Sequence, residues 1–295
     1  MQDKRSTRWL LTGGGGMLGT DVAERLAAAG HDVVALAKGD LDITDRKRAL
    51  ESARQVNPDV IVNCAAYTKV DDCETNRDLA NAINGTAVGH LAEAANESDA
   101  LLVQVSTDFV FDGRAKTPYE PDAKTGPLSA YGDSKLLGEK EAALAKRHLI
   151  VRASWLFGAH GNNFVEAIRR QVDRGNRELR VVDDQRGRPT FTPHLAVAIE
   201  RLGIEALHHR AARGIVHYAD EPECTWYEFS VEIVRRLRPD GSVTVRPVNT
   251  AEFPRPAHRP AYSVLSTKRY ETITGSDPAS WKDGLDAYLR VVSRQ

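Results

Sequence analysis

Leu10-Leu11-Thr12-Gly13-Gly14-Gly15-Gly16-Met17-Leu18-Gly19 is the stretch on which the fold turns. An apolar run, Arg8–Thr12, ends at the glycines, and helical periodicity follows from Asp21 to Ala29. Gly13, Gly16 and Gly19 thus form G-x-x-G-x-x-G between a strand pattern and a helix pattern. The first glycine permits a tight turn, and the second lets backbone N–H groups approach a pyrophosphate. The third lets the helix lie close to the sheet with its positive end toward the anion. A plain glycine-rich turn would read the same in isolation, but the strand-turn-helix context favours dinucleotide binding.

Outward from this turn the rhythm continues. Short apolar runs recur at Asp32–Leu36, Val60–Cys64, Leu101–Val105 and Leu149–Val151, separated by helix-like stretches at Arg46–Gln55, Leu79–Asn96 and Ser134–Lys146. Strands alternating with helices at this spacing predict right-handed βαβ units and a parallel sheet. The unbroken run Val60-Ile61-Val62 fits a strand buried on both faces. After about residue 155 the pattern changes. Turn residues and arginines crowd 183–193 (DDQRGRPTFTP) and 253–260 (FPRPAHRP), which read as ordered loops among amphipathic stretches at Phe164–Arg174, Leu195–Leu207 and Tyr227–Leu237. The expected fold class is α/β: a Rossmann-type parallel-sheet domain over 1–158, to which part of 185–210 returns, and a smaller C-terminal α/β domain over 159–295.

Composition narrows the function classes. Of 295 residues, 40 are Lys or Arg and 41 Asp or Glu, a formal net charge of −1 that offers no basic field to a nucleic-acid backbone. No apolar run approaches the roughly 20 residues that span a bilayer. The opening MQDKRSTRW passes straight into a strand pattern and lacks the apolar core of a secretory signal. Cys64, Cys73 and Cys224 are odd in number and lack C-x-x-C spacing, which disfavours a disulfide framework or a zinc site. The expectation is a cytoplasmic protein that binds neither nucleic acid nor membrane.

Three further segments carry chemistry. At the end of the second strand an acidic residue would bind the adenine ribose of NAD; here Ala37-Lys38-Gly39 follows, with no carboxylate until Asp40. Lys38 facing a ribose 2′-phosphate would favour NADPH; a solvated lysine is the competing reading, and dual use of NADH and NADPH stays open. Tyr131-Gly132-Asp133-Ser134-Lys135 is Y-x-x-x-K, which places phenol and ammonium on one helix face. A positive charge there would draw the tyrosine pKa down from about 10, toward the range useful in proton transfer. Ser106-Thr107-Asp108 follows the Leu101–Val105 run, where hydroxyls at the end of a parallel strand face the ligand crevice; a helix cap or turn is the plainer role.

Taken together, the glycine turn, Thr107 and Y-x-x-x-K resemble the extended short-chain dehydrogenase/reductase superfamily. NCAAYTKVDDCE (63–74), STDFVFDG (106–113), PLSAYGDSKLLGE (127–139), RASWLFG (152–158), DDQRGRPT (183–190) and RPAYSVLST (259–267) resemble, in order, the motif series of the dTDP-4-dehydrorhamnose reductase family. The resemblance runs from about residue 8 to about residue 285. It implies NADPH, with NADH possible, and a dTDP-sugar substrate held by the smaller domain, in a monomer or homodimer. It implies that Tyr131 donates a proton to the C4 carbonyl oxygen. Lys135 would hold the nicotinamide ribose and tune Tyr131, and Thr107 would hydrogen-bond the reacting oxygen. Gly16, Met17 and Leu18 match the pyrophosphate turn, Asp42 and Ile43 the adenine-flanking pair, and Ala65, Ala66 and Tyr67 the segment beside the cofactor ribose. Thr107, Asp108 and Trp155 match sugar-nucleotide contacts, although a tryptophan there also suits a core.

For the diphosphate, Arg186, Arg188, Arg255 and Arg259 are candidates because planar guanidinium suits bidentate phosphate contacts; surface or interdomain pairing is the alternative. Phe109 stands where the family has tyrosine, and Cys64 and Cys73 where alanine is common. Some family members hold Mg²⁺ through glutamates near the first helix and the C-terminus. Here the helix position is Asp21, and no metal site is assigned. A reductase for another nucleotide-linked keto-deoxysugar of streptose type, or a non-catalytic cofactor-binding subunit, are the competing readings; retention of Thr107, Tyr131 and Lys135 favours an enzyme.

Overall fold

Strand β1 (Arg8–Thr12) is buried from Trp9 to Thr12, as its unbroken apolar run requires. In this computed structural model, which describes residues 6–293, the chain continues through α1 (Met17–Ala28), β2 (Asp32–Leu36), α2 (Arg46–Val56), β3 (Val60–Asn63), α3 (Arg77–Asn81), α4 (Ala87–Glu97), β4 (Leu101–Thr107), α5 (Ala130–Ala142) and β5 (His148–Ala153). Residues 1–5 and 294–295, the outer ends of the two expected domains and most of the opening MQDKRSTRW, lie outside the described residues. Then come β6 (Leu156–Phe157), α6 (Phe164–Asp173), β7 (Glu178–Val182), β8 (Arg186–Gly187), β9 (Thr190–Phe191), α7 (Thr192–His208) and β10 (Gly214–His217). The chain closes with β11 (Cys224–Thr225), α8 (Trp226–Leu237), β12 (Thr244–Val248), α9 (Lys268–Thr274) and α10 (Trp281–Val292).

Six strands form one parallel sheet in the order β2-β1-β3-β4-β5-β10. Order reverses between β1 and β3, and the crevice beyond their C-terminal ends is where such sheets bind ligands. Alternate side chains of β1 feed two layers. Trp9 and Leu11 join Val22 and Leu26 of α1 and Ile199 and Leu202 of α7; Leu10 joins Leu50 of α2 and Leu91 of α4 on the other face. Gly203 lets α7 press on the sheet, since a Cβ there would meet the Trp9 ring at 2.6 Å. A separate aromatic cluster, Phe157, Phe229, Trp281 and Tyr288, holds the second layer together around α6, α8 and α10.

Several expectations are corrected. The helix pattern over Leu79–Asn96 is interrupted: α3 leads into a π-helical turn, Ala82–Thr86, before α4. Ser134–Lys146 shifts toward the N-terminus, because Ser129 caps α5 by accepting from the Gly132 N–H. The loop 183–193 contains β8, β9 and the start of α7. The sixth sheet strand, β10, and the parallel pair β7–β12 escape sequence reading. Only Ile215-Val216 marks β10, while Pro247 and exposed residues obscure β12. Among the described residues no helix is long and apolar enough to cross a membrane.

Candidate active site

The glycine turn lies at the end of β1, and its shape is set by contacts no side chain could share. Gly13 has φ +70°, and a Cβ on it would stand 2.5 Å from the Ala65 nitrogen. Gly14 donates its N–H to Leu36 O at 2.9 Å, and Gly16 donates to Gly13 O at 3.0 Å. Gly16 is the N-cap of α1 and supplies no side chain to cap it, so the positive end of this helix, opening at Met17, stands ready for an anion. Opposite, buried Asn63 closes the crevice floor. Its Oδ1 accepts from the Thr12 hydroxyl at 2.7 Å and the Ala65 N–H at 3.1 Å, and its Nδ2 donates to Gln104 at 2.8 Å. This fixes the backbone at Ala65, beside the glycine turn. Asn84, in the π-helical turn, bonds both the N–H and the carbonyl of Tyr67 and also reaches the Ser134 hydroxyl at 3.0 Å. Neither asparagine was singled out from the sequence, although Asn63 stands within its motif.

Lys38 is exposed beyond β2. Asp42 lies near it, held below the usual carboxylate range chiefly by the Thr44 hydroxyl and N–H, with Lys38 and Arg48 adding to the effect. The Leu18 and Ile43 side chains are buried, one in each of the two core layers.

The chemistry-bearing groups meet at the end of β4 and the start of α5. Glu74 accepts the Ala130 N–H at 2.8 Å and so anchors the first turn of α5, which carries Tyr131. Gly132 lets that turn approach the 108–110 segment, where a Cβ would stand 2.4 Å from Phe109 O. Phe109 packs edge-on against Tyr131, ring centroids 5.5 Å apart. Burial raises the Tyr131 pKa and the Asp108 charge raises it further; the Thr107 hydroxyl opposes both. Lys135 is buried and donates to the Val105 carbonyl at 2.8 Å. The expectation that Lys135 lowers the Tyr131 pKa is therefore corrected. In this structure the ammonium is held at β4, and the phenol remains protonated at neutral pH. Asp108 is buried, and desolvation pushes it up to about 6 against the Ser263 and Thr107 hydroxyls.

Beside these groups opens a cleft of about 600 Å³, lined by Phe109, Trp155, Phe164, Trp226, Arg180, Arg255 and Arg259 among others. Trp155 adopts a left-handed φ of +49° and stacks on Trp226 at 3.6 Å. Gly187 permits this, because a Cβ there would stand 2.5 Å from the indole. Trp155 is both a wall of the cleft and a partner of the second core. Such backbone strain persists where surrounding structure enforces it, commonly at functional sites.

The four candidate arginines separate. Arg259 offers both terminal nitrogens to Asp71 at 3.0 Å, and Arg255 lies 4.0 Å from the same carboxylate. Arg186 does not line the cleft but pairs with Glu223 and Glu228 at 3.5 and 3.4 Å. Arg188, largely buried, pairs with Glu221 at 3.2 Å. The cause is the β8–β11 pairing, which brings Arg186 opposite Thr225 and beside the acidic residues flanking β11. Arg180, unnoticed in the sequence, lines the cleft over the Phe253 ring; the signal was hidden in a strand that itself went unread.

Asp21 gathers Glu24 and His160, with possible ligand atoms all within 4.8 Å. A set containing imidazole suits Mg²⁺ poorly, since that ion prefers oxygen donors, and it differs from the glutamates that the resemblance implies.

The family model described as the RmlD substrate binding domain matches residues 7–294. A dTDP-4-dehydrorhamnose reductase of Streptomyces griseus is 42% identical over 281 residues, covering 94% of this chain and 91% of the relative. A dTDP-4-keto-6-deoxy-D-glucose reductase of Streptomyces niveus is 38% identical over 88% of each chain. The crystal structure of dTDP-4-dehydrorhamnose reductase from Bacillus anthracis in complex with NADP superposes with a TM-score of 0.90 at 35% identity, over 97% of this chain and 99% of that one. With the sheet order and the cleft already described, this match over nearly the whole length means that the chain belongs to the RmlD substrate binding domain family.

Proposed function

We infer that this protein is an NADPH-dependent oxidoreductase that reduces the C4 keto group of dTDP-4-dehydro-L-rhamnose to give dTDP-L-rhamnose. The observation that carries the reading is the convergence of Thr107, Tyr131 and Lys135 at the end of β4, between a glycine cradle and an aromatic cleft edged with arginines. The cradle fits a dinucleotide, because Gly13 and Gly19 leave room only for backbone and an uncapped helix end faces it. When bound, NADPH supplies the hydride to C4 of the sugar. Tyr131, protonated at neutral pH, gives its proton to the O4 on which negative charge develops. The Thr107 hydroxyl, which here donates to Asp108 Oδ1 at 3.0 Å, lies beside that phenol and turns to the same oxygen as negative charge develops, then steadies the tyrosinate left behind. Lys135 adds a fixed positive charge behind both. Trp155 and Asp108 border the sugar position, and Arg259 with Arg255 meets the diphosphate. We place the reaction in the cytoplasm, a reading supported by three free cysteines and a chemistry that consumes NADPH.

The purified protein should oxidise NADPH when given dTDP-4-dehydro-L-rhamnose, with dTDP-L-rhamnose identified as product; no turnover with that sugar would end the assignment. The Streptomyces niveus relative makes dTDP-4-keto-6-deoxy-D-glucose the proper competitor substrate. Lys38→Ala is expected to raise KM for NADPH about tenfold, the scale of one charge-assisted phosphate contact, with KM for NADH unchanged. Equal effects on both cofactors would remove Lys38 from the 2′-phosphate. Arg259→Ala should raise KM for the sugar nucleotide by about tenfold, while Arg186→Ala, on a side chain that pairs outside the cleft, should leave it within about twofold. Steady-state kinetics at saturating NADPH decides between that split and the uniform effect expected if all the arginines contacted phosphate.

A further inference from the structure

Behind Lys135, away from the cleft, lies an ion pair for which the reaction described above has no use. Glu139, one helical turn beyond Lys135 on α5, is 4% exposed, and Arg152 of β5 is 2% exposed. Arg152 grips the carboxylate with two nitrogens, Nε to Oε1 at 2.8 Å and Nη2 to Oε2 at 2.7 Å. Ser106 donates to the same Oε1 at 2.6 Å. Arg152 is fixed in turn by the Pro121 carbonyl at 3.1 Å and lies over the Phe111 ring, 5.0 Å from its centroid. Buried pairs of this kind seldom add stability over an apolar replacement, because desolvating both ions offsets their attraction. Their position is then the more informative feature. Ser106 is the residue immediately before Thr107, and Val105, whose carbonyl holds the Lys135 ammonium, immediately precedes Ser106. One carboxylate therefore ties together the strand end that presents Thr107, the helix that presents Tyr131 and Lys135, and the neighbouring strand β5.

We propose that Glu139 is a positioning residue for the reduction, its buried carboxylate keeping the Lys135 ammonium charged at the end of β4 and fixing the Val105–Thr107 strand end through Ser106. The inference rests on the reading of Lys135 given above. Charge alone points the same way. Burial draws Lys135 down to about 8, and Glu139 is the carboxylate that opposes this. The other titratable groups packed around the pair leave that task to it. The Cys64 thiol, beyond β3, is pushed up to about 12 and carries no charge at neutral pH. His217 of β10, 3.3 Å from Arg152, is driven down to about 3 by burial and by that guanidinium, so it is neutral. Asp108 acts on Tyr131, which is itself protonated.

The test is the pH profile of kcat/KM for the sugar nucleotide at saturating NADPH. Glu139→Gln keeps the shape and a hydrogen-bonding oxygen but removes the charge. Its alkaline limb should move to lower pH by about one unit, the scale of losing one close opposite charge, with kcat at neutral pH reduced and KM for the sugar nucleotide little changed. A purely structural role would lower Tm and leave the limb where it is, and that outcome overturns the proposal. Should Glu139→Gln fail to fold because Arg152 is left unpaired, the double variant Glu139→Gln/Arg152→Met removes both charges together. Glu139 shares a helix with Lys135, one turn away, and is the carboxylate that raises it, so its loss sets the direction and a smaller downward shift is expected; an unmoved limb again overturns the idea. Lys135→Met separates the two levels. If it retains full activity, the role of Lys135 itself falls; if it is inactive while the limb of the Glu139 variants stays put, only the positioning role falls.

Discussion

Replacing Tyr131 by phenylalanine is expected to lower kcat by about 10²–10⁴-fold, the range over which a placed general acid contributes, while NADPH binding stays within about twofold. Burial and the neighbouring Asp108 hold the phenol protonated throughout the neutral range, so the group enters the reaction as an acid. Phenylalanine keeps the ring and with it the edge contact to Phe109. It also leaves the α5 cap at Ser129 and the Glu74 contact at Ala130 intact, because both are made by backbone N–H groups. The fold has little reason to notice the change. What disappears is the donor at the developing alkoxide, leaving Thr107 as its remaining hydroxyl partner. Stopped-flow measurement of NADPH oxidation, beside fluorescence titration of NADPH binding, separates chemistry from affinity. A variant retaining more than about a tenth of the wild-type rate would mean that another group, or water, supplies the proton.

Much of this site could be read from residue order because its parts obey local rules. The glycine turn, the buried strand Val60–Asn63 and the Y-x-x-x-K pair each declare themselves within a few residues, and the structure brings them to one edge of the sheet. What escaped depends on contacts between distant segments. Asn63 and Asn84 matter because one spans three strand ends and the other bridges Tyr67 to Ser134, which lies fifty residues along the chain from Asn84 itself. Arg186 and Arg259 look alike in sequence, each an arginine in a proline- and glycine-rich loop. Only the β8–β11 pairing sends the first to Glu223 and Glu228, while Asp71 receives the second at the cleft. Lys135 shows the same limit in its electrostatics. Helical spacing puts it near Tyr131, but the carbonyl that holds it belongs to β4. Spacing along a helix fixes which face a residue occupies, and the packing of the next element fixes what that face meets.

Gly19→Ala should weaken NADPH binding by at least about tenfold and destabilise the fold by about 1–3 kcal/mol, the usual cost of forcing a methyl into packed backbone. Gly19 lies in α1 with an ordinary helical conformation, so backbone strain is not the reason. A Cβ there would stand 2.1 Å from Gly13 O and 2.8 Å from Gly13 C, and those are main-chain atoms of the turn itself. They cannot swing aside as a side chain would. Gly13 is in turn pressed against Ala65, so the turn cannot retreat into the crevice, and α1 must lift instead. Lifting α1 withdraws the uncapped helix end from the pyrophosphate and opens the Gly16-to-Gly13 hydrogen bond that shapes the loop. It also loosens the contact of Val22 and Leu26 with α7 and the sheet, which is where the stability loss arises. Gly39→Ala is the matched control. It lies beyond β2 with no heavy atom within 4 Å of the added Cβ and no positive φ, so it should bind NADPH like the parent. Isothermal titration and thermal melting of the two variants give the comparison. Unchanged affinity in Gly19→Ala would show that the helix end does not hold the cofactor, and that the close approach of α1 to Gly13 is a matter of packing alone.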